Sequence, residues 1–192
     1  MASKDPSEVA KRCLCMELLL QRLGLELDDD DPDVERDAVR LAWNSRLGQL
    51  GLEEVLLPNE RAFLERSVGD LTEDETDEIE GQVISSLILL WAMTRLGGRP
   101  SAAILGKATD VVAEYGVLGD GSIPGAIENV ANAKLRPESE LRDALVAYAA
   151  TRDAGKAAPG PEEMVATIAI HALAWVIDPT MKFDGGGQTL EV

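Results

Sequence analysis

Residues 72–98 read TEDETDEIEGQVISSLILLWAMTRLGG. Thr72 followed three positions later by Glu75 is a capping box: the hydroxyl accepts from an early helical N–H, and the carboxylate reaches back to the N–H of the cap. The segment it opens is acidic in its first turns and almost wholly apolar from Val83 onward. The pattern predicts a helix to about Leu96, stopped by Gly97-Gly98, with its acidic end in solvent and its central segment buried. A helix segment that is apolar all round needs other elements around it. No alternating apolar run bounded by hairpin signals supplies a sheet, so those elements must be helices.

Outward from that segment the punctuation is mostly helical. Asp5-Pro6-Ser7-Glu8 offers a cap, a proline for the first turn and a glutamate at the capping-box position, and predicts a helix to about Leu23 stopped by Gly24. A second helix is expected from Pro32, capped by Asp31, with Val34, Ala38, Leu41, Ala42 and Trp43 as its apolar stripe and Gly48 or Gly51 as its end. Pro58 opens a short helix through Ala62, Phe63 and Leu64, ending near Gly69. Pro100 to Tyr115, Pro124 to Asn132, Pro137 to about Asp153, and Pro161 to the break at Pro179 complete the set. Loops are expected at Gly116–Gly121 and Gly155–Gly160. The fold class is therefore all-α: an irregular bundle of about eight helices in one domain over residues 1–184, with residues 185–192 as a flexible tail. Gly185-Gly186-Gly187 belongs to that tail and has neither the strand nor the helix that phosphate cradling requires.

A chain of 192 residues with 45% hydrophobic composition can fill one core. The net charge of −17 is uneven: residues 1–96 carry 22 acids against 10 bases, and residues 97–192 carry 13 against 8. Such a field repels nucleic-acid phosphates and anionic membranes, and it speeds encounter with a basic protein. The two longest apolar stretches fall short of the roughly 20 residues of a membrane span. Cys13 and Cys15 lie about 200° apart on a helix, so they neither pair nor share a metal, and they read as buried small hydrophobes in a reducing compartment. With an N-terminus that lacks a signal-peptide pattern, the expected location is the cytoplasm.

The segments EVAKRCLCMELLLQRLGLEL, LGLEEVLLPNERAFLERSVGDLTEDE, LILLWAM and LRPESELRDAL, with ALAW in the last helix, occur in an order that resembles the bacterial domain of unknown function 4272 family. Where members of that family often carry Trp and Glu before the LLWA element, this chain has Gly81 and Ile84, and around ALAW it has the apolar Ala169, Ile170 and Ala174. The resemblance implies an all-helical, cytoplasmic, bacterial domain, and it brings no catalytic residues.

No nucleophile elbow, P-loop or dinucleotide fingerprint is present. His171 is the only histidine. Its setting between Ile170 and Ala172 predicts a buried, hydrogen-bonded core residue rather than a base. The run Asp28–Asp33 lacks the alternation and glycine of a calcium loop and reads as helix-start chemistry. Two functional readings follow. In the first, the seven acids and no base between Asp70 and Glu80 form a binding surface, with Asp70, Asp74, Asp77 and Glu78 contacting a basic protein partner. The molecule is then a protein-interaction module without a cofactor, of the kind that inhibits or confers immunity by masking a basic protein. In the second, Glu75 with Glu78, and Glu140 with Asp143, are facing carboxylate pairs that hold magnesium for a hydrolase of the nucleotide pyrophosphohydrolase type.

Overall fold

Helix α5 (Glu73–Ala92), the apolar half of the opening segment, is the axis of the molecule, with residues Leu87 to Leu90 wholly out of solvent. The structure, a computed structural model, describes residues 3–28, 32–156 and 159–183. Around α5 stand α1 (Pro6–Leu27), α2 (Asp33–Asn44), the single-turn α3 (Leu47–Leu50), α4 (Pro58–Glu65), α6 (Ala108–Tyr115), α7 (Ile123–Ala131), α8 (Glu138–Gly155) and α9 (Pro161–Ile177). A 3-10 segment, Ala102–Lys107, leads into α6. The regular structure of the described residues is thus all helical, with no strand, as expected. The expected cap at Asp31 and the tail 185–192 lie outside the described residues.

Helix α5 is flanked by α1 on one side and α9 on another; α8 packs along α9, α6 against α5, and α4 and α7 against α1. Apolar burial holds these contacts. Val9, Ala10, Cys13, Leu14, Met16 and Leu19 of α1 lie in one cluster with Ile88, Leu89 and Leu90 of α5 and with Ala169, Leu173 and Val176 of α9. Full burial of each large aliphatic side chain stabilises by about 1.5–3 kcal/mol. Both cysteines are free and buried; burial pushes the Cys13 thiol well up and the Cys15 thiol to about 12, so both stay protonated.

Glycine does not end the long helices as the sequence pattern predicts. Helix α1 runs through Gly24 to Leu27, spanned by an Arg22–Glu26 pair at 2.6 Å, and its last carbonyls, at Leu25 and Glu26, accept from Arg36. Helix α4 ends under Arg40, which donates to the carbonyls of Leu64 and Glu65, while Arg22 serves those of Arg66 and Ser67. At the end of α6, Arg95 serves Tyr115 and Gly116. None of these helices has a basic residue in its own last turn. Terminal carbonyls need donors, and here guanidinium groups from elsewhere in the chain supply them.

Helix α5 also stops early, at Ala92 rather than Leu96. Thr94 takes φ 65°, its N–H bonds the Trp91 carbonyl, and Arg95 N–H bonds that of Leu90, which closes a Schellman motif on a threonine. Arg136 then covers the Trp91 and Leu96 carbonyls and stacks 4.7 Å over the Trp91 ring. The predicted Pro100–Tyr115 helix resolves into the 3-10 segment followed directly by α6; Gly106, a poor helix former, lies within the 3-10 segment, one residue before its end.

One ion pair is fully interior. Arg12 of α1 meets both carboxylate oxygens of Glu60 of α4, which also accepts the Leu57 N–H at 2.9 Å. Phe183, beyond α9, lies 4.5 Å from the same guanidinium and packs edge-on against Trp175. A buried pair of this kind holds only because its hydrogen bonds are met from several elements. At the start of α1, Asp5 caps through the Ser7 N–H as expected, whereas Glu8 pairs with Lys4 instead of closing a capping box.

Candidate interaction surface

Helix α2 is oriented opposite to its sequence pattern. Val34, Ala38 and Leu41, at the spacing of a core stripe, face solvent: Val34 is 81% exposed and Leu41 55%. Arg36 and Arg40 are the buried side chains instead. The cause is the capping just described. Two helix ends, of α1 and α4, present carbonyls on one side of α2, and guanidinium groups satisfy them better than a valine can. Each arginine is held by an aspartate three residues earlier: Arg36 by Asp33, and Arg40 by Asp37 at 2.6 Å. The hydrogen bonds from Arg40 hold the Asp37 carboxyl below the usual range, helped by the Val68 N–H at 3.2 Å.

The apolar stripe does not stand alone. Ser67 and Val68 of the α4–α5 loop join Val34, Ala38 and Leu41 in lining a shallow depression. The loop is pinned from below: Glu26 accepts the N–H groups of Gly69 and Leu71, and Gly69 takes φ 89°, a left-handed turn suited to glycine. From the edge of the stripe it leads into the acidic start of α5. The expected capping box is formed: Thr72 accepts from the Glu75 N–H at 3.3 Å, and Glu75 accepts the Thr72 N–H at 2.9 Å. That bond, with the Thr72 hydroxyl and Arg66 nearby, holds the Glu75 carboxyl below its ordinary value.

The sequence-derived residues now have places. Asp70, Asp74 and Asp77 are exposed and have no ion-pair partner among the described residues. Glu78 is exposed and accepts from Asn59 at 2.5 Å. Asp70 lies on the loop, and Asp74, Asp77 and Glu78 lie in the first two turns of α5. The two carboxylate pairs of the magnesium reading are not brought together. Glu75 serves as a cap, and Glu140 pairs with Arg136, which binds the opposite end of α5. At 1.5 Å per residue, Glu75 and Trp91 are roughly 24 Å apart along the helix. Among the described residues no group of three or more His, Cys, Asp or Glu is placed to hold a metal ion.

His171 departs from expectation. It is half-buried on the flank of α9 and makes no hydrogen bond among the described residues, because the buried face of that helix runs through Val165, Ala169, Ala172, Leu173 and Val176. The buried roles of Arg36 and Arg40 are not evident from the apolar pattern of α2. Their signal was the repeat Asp-x-x-Arg in DVERDAVR, residues 33–40, which spaces two acid–base pairs along one side of a helix. No described helix is long and apolar enough to cross a membrane.

Comparison of the chain with protein-family models, with curated proteins and with solved structures finds no match. The family resemblance therefore rests on the quoted segments alone.

Proposed function

We propose that this protein is an interaction module that captures a basic amphipathic helix of a partner protein, and that it masks that partner in the manner of an inhibitor. One observation carries this reading: α2 is fixed by its arginines and leaves an apolar stripe in solvent, lined on one side by the loop that leads into the acidic start of α5. The stripe offers Val34, Ala38 and Leu41 along about 10 Å of helix, enough for one or two anchors of an opposing helix. Asp70, Asp74, Asp77 and Glu78 supply the field that draws in lysines and arginines flanking those anchors. An acidic peptide would be repelled, and a basic peptide without an apolar face would gain no anchor. Two buried protonated thiols suit a reducing cytoplasm.

The test uses a helical leucine–lysine peptide and a scrambled peptide of the same composition. The native protein is expected to bind the amphipathic peptide more tightly than the scrambled one. Leu41→Asp should remove that preference, whereas joint reversal of Asp74, Asp77 and Glu78 to Lys should slow association and flatten its salt dependence. Equal affinity for the two peptides, or a preference that survives Leu41→Asp, would overturn the proposal.

A further inference from the structure

Glu17 is the only charged residue in the apolar run Cys13–Leu20 of α1, and it is 4% exposed. The loop that follows α6 closes over it. Val117 N–H donates to Glu17 Oε1 and Leu118 N–H to Oε2, each at 2.7 Å, and Cys13 Sγ lies 3.4 Å from Oε1. Gly116 permits this approach, since a Cβ there would lie 2.8 Å from the carboxyl carbon and from Oε2. No cationic side chain pairs with this carboxylate among the described residues. Arg95 is close enough for its charge to be felt, but it makes no ion pair with Glu17; its Nη1 donates to the Tyr115 and Gly116 carbonyls instead.

The carboxylate borders a hollow. A cavity of about 300 Å³ opens between α1, α6 and the loop, lined by Glu17, Leu20 and Gln21 from α1, Thr109 and Val112 from α6, and Leu118 among others. That volume is of the order of small-ligand sites, which pair apolar walls with a few fixed polar groups. Holding the loop would need only the two N–H bonds, and an amide or a hydroxyl could serve there without the cost of burying a charge. A buried carboxylate has about four acceptor positions, and Oε2 meets only one donor among the described residues. A compact cation with an apolar body completes this arrangement: its ammonium group meets Oε2, and its tail covers Leu20, Val112 and Leu118. The acidic surface of the molecule enriches such cations at the mouth of the cavity.

We infer that the cavity between α1 and α6 is a binding site for a small alkyl amine, with Glu17 as its counter-charge. The site is separate from the α2 surface, and neither proposal depends on the other.

Amide NMR of the full chain titrated with isopentylamine tests it, with isopentyl alcohol as the neutral probe of similar shape. The amine is expected to shift the Val117 and Leu118 amides saturably, and the alcohol to bind about tenfold more weakly or less, the margin of a charge-assisted hydrogen bond. Ala113→Leu, on an exposed face of α6 at the cavity mouth, should abolish the shifts with the fold intact. Glu17→Gln should erase the preference for amine over alcohol. If Glu17→Gln fails to fold, the contrast between the two probes and the Ala113→Leu variant still decide. Shifts that do not saturate, that are equal for the alcohol, that persist in Ala113→Leu, or that centre on residues 70–80 would overturn the inference.

Discussion

Thr94 is a β-branched residue at φ 65°, a conformation that costs a non-glycine residue about 1–2 kcal/mol. It is exposed, and two Schellman hydrogen bonds hold its backbone there. Thr94→Gly is therefore expected to stabilise the protein by about 1 kcal/mol, because relief of the strain outweighs the added freedom of the unfolded chain. The shift would appear as a higher urea midpoint with an unchanged slope. Two glycines lie only three and four residues further on, where the sequence pattern predicts the stop. Nothing in the local sequence marks Thr94, because the signal is Arg136, more than forty residues away, which covers the carbonyls at that helix end. Glu17 was legible in principle as one charge in an apolar run; its partner N–H groups lie one hundred residues on.

At the scale of the element, the capped helix starts are legible, as are the ends at Tyr115 and before Pro179, whereas the ends of α1, α4 and α5 are not. Caps at Asp5 and Thr72 act on N–H groups within three residues, so local sequence contains the whole device. The ends of α1, α4, α5 and α6 are closed by arginines from other elements, a choice that only the tertiary fold defines. Helix α2 follows from this, since its apolar stripe predicted a buried face and its arginines decided otherwise. Arg40→Met should thus uncover the Glu65 carbonyl, leave the Leu64 carbonyl to Asn44 alone, and remove the ion pair of Asp37. Loss of the bonds to these groups is expected to cost about 1–3 kcal/mol. Hydrogen exchange should accelerate in α2 and in residues 66–72 while α5 and α9 keep their protection. Uniform acceleration across the molecule would show that α2 is held by something other than its guanidinium anchors.

Over the whole molecule, many basic groups turn inward to serve carbonyls and buried acids, so the outer surface is more one-signed than the net charge of −17 alone implies. Folding also sets carboxylates on two sides of their ordinary pKa. Burial raises Glu17, so the folded state holds its proton more tightly than the unfolded chain, and stability is gained as pH falls through the raised value. Asp37 and Glu75 are lowered, the first chiefly by Arg40 and the second chiefly by the Thr72 N–H, so their contribution is complete above the ordinary carboxylate range and is lost as pH falls through their depressed values. Urea midpoints measured from neutral pH downward should rise first and then fall. Glu17→Gln should flatten the rising limb and leave the acid limb in place; a rising limb unchanged in that variant would assign it to other groups.

The inverted placement of α2 also bears on how such a chain can change over generations. A helix attached by hydrogen bonds on one side leaves positions 34, 38 and 41 outside the core, so substitutions there alter what the surface meets without altering what holds the helix. Sequences that keep the two Asp-x-x-Arg repeats can therefore vary at those three positions while the architecture stays fixed.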